Sequence, residues 1–226
     1  MTPSPASALQ LPHTPRTRVT RHSDRQEDDR RALYEILDAS VLAHVGMVRD
    51  GYPIVLPMAC ARDGDSLLLH GSTGGGMLRA AAQGAELAVT VTQLDGLVYA
   101  ASLFDSSMNY RSAMILGRAV VVDGEAKLEA LHVLSDHLMP GRRAEVRAIT
   151  NRDLAATHLL RIPLEEASVK TRAGGPSADG SEGAGAPWTG LLPVRTVYGE
   201  PEAAPHSPAG SAPSASVRRL VGRSMT

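Results

Sequence analysis

Two short polar segments combine hydroxyl groups and backbone amides with an imidazole or a guanidinium group. The first segment closes an apolar run and contains, in chain order, His70, Gly71, Ser72 and Thr73, followed by three glycines. The amides of a glycine-rich corner that precedes a helix can hold an anion, and Arg79, one turn into that helix, could reach the same anion. His70 could contact a bound ring or its substrate, or could be a strand-end histidine hydrogen-bonded to a carbonyl.

The second segment, Tyr110, Arg111 and Ser112, opens the longest strand-like run of the chain. The planar fork of an arginine suits a phosphate group and the serine adds a hydroxyl donor, although the same residues could simply start an exposed strand. Further on, alternation would place Ser168, Lys170 and Arg172 on one side of a strand, where they could bind an anion or form a solvated strand end. Together these segments predict a β scaffold that holds a phosphate and an adjoining flat ring, as a flavin mononucleotide (FMN) protein does.

Composition argues against several other kinds of chemistry. Cys60 is the only cysteine, so no internal disulfide is possible, which fits a reducing cytoplasm; a buried strand position is expected for it. His132 and His137 are five positions apart, on different faces of a helix, so a zinc site is not expected. The sequence lacks a Gly-x-Ser-x-Gly nucleophile elbow and an apolar run of about 20 residues for a membrane span. A formal net charge of −1 argues against a nucleic-acid partner.

Hydrophobic spacing predicts the elements that must position these residues. A helix should begin near Ser23 with Gln26 in a capping box, and a strand from Val41 should reach a hairpin turn at residues 50–51. Further strands are expected over 54–58, 66–70, 87–92, 97–101, 112–122 and 160–164, and helices over 77–83 and 128–138. Residues 95–96 should form the turn between two of these strands. Six or seven short strands with tight turns and few helices predict a mainly β protein, a small closed barrel.

Composition also divides the chain into three regions. Residues 1–20 are expected to be a disordered N-terminal lead, and residues 21–172 to form the barrel domain. Residues 173–226 are rich in Gly, Pro, Ala and Ser and cannot bury enough apolar surface to offset their ordering entropy, so a flexible tail is expected. Trp188 and two leucines are the exception, and the segment 188–193 could dock on the domain.

Seven segments, taken in order, resemble those of one family. They are His44-Val45-Gly46, Asp50-Gly51-Tyr52-Pro53, Leu69-His70-Gly71-Ser72, residues 89–98, Asn109-Tyr110-Arg111-Ser112 with Gly117, Ser168-Val169-Lys170-Thr171-Arg172 and Trp188-Thr189-Gly190. The chain resembles the pyridoxamine 5′-phosphate oxidase-like flavoproteins, which have the FMN-binding split barrel, and within them the nitroimidazole-reductase-like (Nim-like) branch. The resemblance covers about residues 20–193.

The resemblance implies a homodimer with two FMN sites at the subunit interface. It implies that His70, Gly71, Ser72 and Thr73 contact the cofactor or the substrate side, and that the strand with Tyr110, Arg111 and Ser112 lines the flavin. Lys170, Arg172 and Trp188 would close the site, and the partner chain could supply them. Relatives commonly carry a basic residue after the His-Gly-Ser corner, where this chain has glycines, so Arg79 and backbone amides would hold the phosphate. The strand 53–58 lacks the Arg and Lys of true pyridoxamine phosphate oxidases, so oxidation of vitamin B6 is not expected.

The function expected from these features is that of a cytoplasmic, FMN-dependent oxidoreductase. It would reduce a small electron-poor substrate, for example a nitroaromatic, with NAD(P)H as the donor. No Gly-x-Gly-x-x-Gly unit occurs, so the donor would bind transiently over the flavin, and His70 would act as the catalytic proton donor or orienting group. Two alternatives stay open: a non-catalytic protein that binds flavin, haem or deazaflavin, and a structural dimer that has lost its ligand.

Overall fold

Ten strands form one antiparallel sheet in the computed structural model, which describes residues 9–177, 185–208 and 210–225. The strands are β1 (Gln26–Glu27), β2 (Leu42–Arg49), β3 (Tyr52–Asp63), β4 (Ser66–Ser72), β5 (Glu86–Tyr99), β6 (Ser107–Arg118), β7 (Val120–Val121), β8 (Thr157–Pro163), β9 (Ala167–Arg172) and β10 (Gly190–Pro193). The helices are α1 (Arg30–Asp38), α2 (Gly76–Ala82), α3 (Glu125–Leu138), α4 (Asn151–Ala156) and α5 (Ala215–Arg218). None of these described helices is long and apolar enough to cross a membrane.

The order of strands makes the sheet a split barrel. Neighbours follow the path β1-β9-β6-β5-β2-β3-β4-β8-β7, which does not close on itself, and β10 pairs separately with β5. The closed barrel that strand and turn spacing predicts is therefore not formed. The fold class predicted from the sequence, mainly β with a few helices in a split barrel, is confirmed. The hairpin at residues 50–51 is confirmed too, because Asp50 and Gly51 both have positive φ, 53° and 81°, as a tight β2–β3 turn requires.

Two apolar cores lie on opposite sides of β4. Leu67 and Leu69 belong to the large core inside the barrel, whereas Leu68 belongs to a smaller core that α3 covers. Successive side chains of a strand point to opposite faces, so His70 lies on the outer face with Leu68, and Gly71 lies on the inner face.

The turn predicted at residues 95–96 is wrong. Strand β5 runs without interruption through these residues, and its register against β6 shifts between Leu94 and Gly96, as at a β-bulge. A Cβ on Gly96 would lie 2.9 Å from the backbone oxygen of Leu192 on β10. The glycine is therefore needed for the close approach of another strand, and β5 pairs with β2 along its first half and with β10 along its second half.

The first helix also begins later than predicted. Asp29, not Ser23, caps α1, and its carboxylate accepts a hydrogen bond from the amide of Arg31. Gln26 lies in β1, where its side-chain oxygen accepts from the amide of Val19. The local capping-box pattern is overridden because this segment pairs with β9.

Both terminal regions contact the barrel where they are described. Within residues 9–20, part of the predicted lead, Leu11 is buried and Thr14 donates a hydrogen bond of 2.8 Å to Glu166. In the C-terminal region the predicted docking segment includes β10. Further on, the amide and hydroxyl of buried Ser216 donate to Glu145, at 2.8 and 2.6 Å. Residues 1–8, 178–184, 209 and 226 lie outside the described residues.

Candidate functional site

Four of the predicted cofactor-binding residues share the outer face of β6 and β9. The register pairs Ser112 with Lys170 and Tyr110 with Arg172. Directly opposite residues of an antiparallel pair project to the same side, and the alternate pair Ala113–Val169 is buried in the barrel core. The group of Tyr110, Ser112, Lys170 and Arg172 is called the donor face below.

The cations of the donor face keep free donors. The Lys170 ammonium donates to the carbonyl of Arg21 at 3.2 Å, and the Arg172 guanidinium donates to Oδ1 of Asn109 at 2.5 Å. An ammonium carries three donors and a guanidinium five, and neither group pairs with a carboxylate of the described residues. The positive charge of this face is therefore not neutralised within the described chain, as an anion-binding surface requires.

Arg111 is separated from the donor face. It lies on the inner side of β6, the side of Ala113, and its guanidinium forms a two-point salt bridge with Asp95 (Nη2 to Oδ1 2.7 Å, Nε to Oδ2 3.1 Å). The hydrogen bond to Asp95 raises the pKa of Arg111. The structure does not bring Arg111 together with Ser112, and it gives the guanidinium fork a protein carboxylate in place of the phosphate expected from the sequence.

The glycine-rich corner uses its amides internally. The amide of Thr73 donates to the carbonyl of Ala156, the amide of Gly74 donates to Oγ of Ser72, and the amide of Gly75 donates to the carbonyl of Ser72. The anion nest expected from the sequence is therefore occupied by acceptors of the chain itself at these three positions.

His70 is the residue of this corner that has a ring nitrogen available to a ligand. Its Nδ1 is buried and has no hydrogen-bond partner among the described residues. Burial lowers the pKa of His70 below its usual value, so the ring is neutral at pH 7. Gly71 beside it packs closely on α2, because a Cβ there would lie 2.5 Å from Cδ1 of Leu78 and that side chain would have to move.

Arg49 is a cation of this corner that the sequence analysis missed. A Cβ on Gly76 would lie 2.6 Å from Nη1 of Arg49, so the guanidinium rests against the start of α2. Arg79 is exposed on the same helix and has no partner among the described residues. The signal for Arg49 was its place directly before the Asp50-Gly51 turn, but nothing in the spacing linked that turn to α2.

The corner and the donor face lie on the same outer surface but far apart. Between β4, which carries His70, and β6, which carries Ser112, stand β3, β2 and β5. At the usual strand spacing this separation is roughly 19 Å along the sheet. The outer face between them presents exposed apolar side chains, namely Leu42, Val48, Val55 and Leu94.

Trp188 and Cys60 have other surroundings. The exposed ring of Trp188 folds over Gly190 and lies 5.8 Å from the ring of Tyr99. Cys60 is buried, and burial raises its pKa to about 12, so it is not a nucleophile. Among the described residues no group of three or more His, Cys, Asp or Glu side chains is placed to hold a metal ion.

A cavity of about 420 Å³ opens at one end of the same outer face. It is lined by Ala39, Ser40, Val41, Leu42, His44, Thr92, Gln93, Leu94, Val194, Thr196 and Met225. None of the predicted site residues lines it. The last three lining residues belong to the C-terminal region.

The family model described as pyridoxamine 5′-phosphate oxidase matches residues 29–171. The chain belongs to this family. Within it, the flavin-binding split barrel predicted from the sequence is confirmed at the level of the fold. No curated protein matches the sequence.

Solved structures extend the likeness beyond the family model. The FAD and haem binding protein from Mycobacterium smegmatis is 42% identical, with a TM-score of 0.84, over 89% of this chain and 98% of that one. The flavocytochrome Anf3 from Azotobacter vinelandii is 34% identical, with a TM-score of 0.83, over 92% and 98%. A structure described as a 5-nitroimidazole antibiotic resistance protein from Bacteroides thetaiotaomicron is 20% identical, with a TM-score of 0.54, over 75% and 89%, and shows the shared fold alone.

Proposed function

We propose that the chain is one subunit of a dimeric flavin-dependent oxidoreductase. The observation that carries this proposal is the placement of Lys170 and Arg172 on one flank of an outer face whose other flank carries His70. Membership of a flavoprotein family supports a flavin as the ligand of these groups.

A second copy can bring the two flanks together. When two such faces stack about a two-fold axis parallel to the strands, the β6–β9 flank of one copy lies against the β3–β4 flank of the other. The apolar side chains between the flanks, including Val48 and Val55, would then be removed from water, which stabilises the pair by about 25 cal/mol per Å² of apolar area. Each site would take its cations from one copy and its histidine from the other.

The residues present fit a flavin bound in this way. Lys170 and Arg172 offer donors to a phosphate, whereas the hydroxyl of Ser112 donates to the carbonyl of Lys170 at 3.3 Å. His70 offers a neutral imidazole whose Nδ1 lacks a partner in the described chain. When bound, the flavin supplies hydride or electron transfer. The chain's own residues orient the ring, keep water from it, and hold a proton at His70 for a small electron-poor acceptor. NAD(P)H is the proposed donor.

The identity of the flavin is part of the proposal. The sequence predicts FMN, whereas the 42% identical relative is described as binding FAD. Both carry the isoalloxazine ring and a phosphate beside the ribityl chain, so the donor face serves either. The buried, unreactive Cys60 is compatible with the cytoplasmic location that we propose.

A flavin protein that also carries haem is the second candidate function. It is favoured because the 42% and 34% identical relatives reported above are described in these terms, one as an FAD and haem binding protein and one as a flavocytochrome. In that case electrons would pass between two prosthetic groups of one protein.

The test is the spectrum and the chemistry of the full chain after purification. We expect a flavin absorbance that bleaches with NAD(P)H and returns with a nitroaromatic acceptor, and mass spectrometry of the released ligand to give FMN or FAD. A flavin that never bleaches would support the non-catalytic alternative. A colourless protein with no affinity for added FMN or FAD would overturn the flavin proposal.

A further inference from the structure

We infer that the cavity between β2, β5 and the C-terminal region is a haem site, with His44 as the iron ligand. This inference rests on the second candidate function, and it adds the place and the ligand. The cavity holds about 420 Å³, and its walls come from strand residues such as Leu42 and Leu94 and from the C-terminal residues Val194 and Met225.

The side chains that line this cavity differ in chemistry from those of the proposed flavin site. Its described lining contains aliphatic, hydroxyl, amide, thioether and imidazole groups and no charged side chain. A flavin phosphate requires cations, and the donor face that provides them is elsewhere. A flat apolar macrocycle with one imidazole at its metal matches these walls, because haem iron is commonly held by histidine, alone or together with methionine.

His44 is the lining residue suited to bind iron. Its ring is exposed at the cavity and forms no hydrogen bond or ion pair within the described chain, so a ring nitrogen is available. It stands on the outer face of β2, in register with Thr90 and Pro57, on a regular part of the sheet. Met225 is the other lining residue with a donor that iron accepts.

An unpartnered buried acceptor also points to a ligand in this cavity. Gln93 lines the cavity, and its Nε2 donates to Oγ of Ser40 at 2.9 Å. Its Oε1 is buried and has no hydrogen-bond partner among the described residues. Buried polar atoms of this kind are rare in native structures and commonly mark a site that another group completes.

The two relatives described as holding haem are similar to this chain beyond the end of the family model, in the region that supplies the C-terminal wall of the cavity. The family model ends at residue 171, so Val194, Thr196 and Met225 lie outside the part common to the family. The two relatives described as holding haem match 89% and 92% of the chain, which requires that they share at least half of residues 172–226. The wall that closes the cavity thus comes from a region beyond the family model, and these relatives share at least half of that region.

Two arginines close in sequence to the C-terminal lining residues are candidates to bind the two carboxylates of a haem. Arg195 lies between the lining residues Val194 and Thr196, is exposed and has no partner in the described chain. Arg223 lines an adjoining cavity of about 340 Å³ that shares Met225 as a wall. Arginine binds carboxylates through two parallel hydrogen bonds, so the propionate end of the macrocycle would face this side.

The experiment titrates haemin into the purified full chain and follows the Soret band. His44→Ala and His44→Gly are compared with His206→Ala, a control that removes an exposed histidine remote in sequence from the cavity lining. Val194→Trp fills the cavity without touching a ligand. Flavin absorbance is recorded in the same samples.

We expect one haem per chain, with the Soret band of wild type unchanged in His206→Ala. His44→Ala should shift that band and raise the haem Kd by about tenfold or more, the scale of ligand-sphere changes at metal sites. Added imidazole should restore the wild-type band in His44→Gly, and Val194→Trp should bind less haem while its flavin content stays the same.

Three results would overturn the inference, and they differ in what else they affect. If His44→Ala binds haem with an unchanged Soret band, His44 is not the iron ligand and this cavity is not the haem site, but the haem function still stands. No haem binding in a protein that holds flavin would remove the haem function as well and leave the flavin proposal standing. Equal haem binding in Val194→Trp would place the haem elsewhere.

Discussion

The guanidinium of Arg111 and the carboxylate of Asp95 meet at two points, and the bulge in β5 makes this possible. Nη2 lies 2.7 Å from Oδ1, and Nε lies 3.1 Å from Oδ2. The register shift between Leu94 and Gly96 leaves Asp95 unpaired in the ladder, and a bulge redirects the side chain of its extra residue. The sequence predicted a turn at Asp95 and a phosphate contact for Arg111. In the structure these two residues instead form an internal salt bridge with each other.

This salt bridge predicts the phenotype of Arg111→Ala. Both side chains are about one-third exposed, so solvent screening limits the loss of unfolding free energy to about 1 kcal/mol. The flavin Kd should change less than threefold, because the guanidinium of Arg111 lies on the opposite side of β6 from the donor face. Chemical denaturation and flavin titration check both values, with Asp95→Asn as the matched variant. A tenfold weaker flavin Kd in Arg111→Ala alone would return Arg111 to the site.

Arg172→Ala should weaken flavin binding. Loss of a charged hydrogen bond costs about 1.5–3 kcal/mol, which corresponds to a Kd about 10- to 100-fold higher. Fluorescence titration of the apoprotein with FMN and FAD measures this change. The control is Arg152→Ala, because Arg152 is exposed on α4 and has no partner in the described chain. Equal losses in the two variants would indicate a general effect of charge.

The lowered pKa of His70 predicts a dependence of stability on pH. The unfolded chain binds a proton at His70 near the ordinary value of 6.5, before the folded protein does. The neutral, buried ring therefore makes its full contribution to the free energy of unfolding above pH 6.5. This contribution falls as the pH drops from 6.5 towards the lowered pKa. Thermal unfolding of wild type between pH 7.5 and about 5 should show this loss, and His70→Gln should reduce the slope.

His70 also has a predicted kinetic effect. A positioned proton donor typically contributes about 10²- to 10⁴-fold to a rate, so His70→Gln should lower kcat far more than it raises the flavin Kd. Stopped-flow reduction and reoxidation separate the two steps. Unchanged turnover with a nitroaromatic acceptor would reduce His70 to a packing role.

Val55→Arg should separate the proposed dimer. Val55 is 62% exposed on the outer face of β3, and an unpaired guanidinium there would be buried between the subunits at a cost of several kcal/mol. Val120, 60% exposed on β7, provides the control Val120→Arg. Light scattering should report a monomer only for Val55→Arg, and flavin should be lost with the dimer. A wild-type monomer that still binds flavin would contradict the shared site.

The barrel was predictable from the sequence because its signals are local. Alternation along β2 and β8 and the Asp50-Gly51 turn depend on neighbours in the chain. The errors fall where a distant strand decides the outcome. Gly96 faces β10, which comes from nearly one hundred residues further on, and Gln26 is held by pairing with β9.

The candidate site was predictable in its residue types and less so in its grouping. Alternation predicted that Lys170 and Arg172 share one side of a strand, and the register of β6 and β9 adds Ser112 opposite Lys170. Arg49 reaches α2 through the tertiary fold alone, and the amide donors of Thr73 and Gly74 find acceptors that sequence spacing does not reveal. Whether a donor is free depends on its folded neighbours, which a linear pattern does not contain.

The pairing of β10 also protects the barrel from its own copies. The second half of β5 has β6 on one side and β10 on the other, so its backbone groups are occupied only while residues 190–193 are present. A chain cut before residue 190 would leave this stretch as an open sheet edge, a template for cross-chain strand addition. The C-terminal region thus protects against aggregation, and this effect does not depend on any ligand.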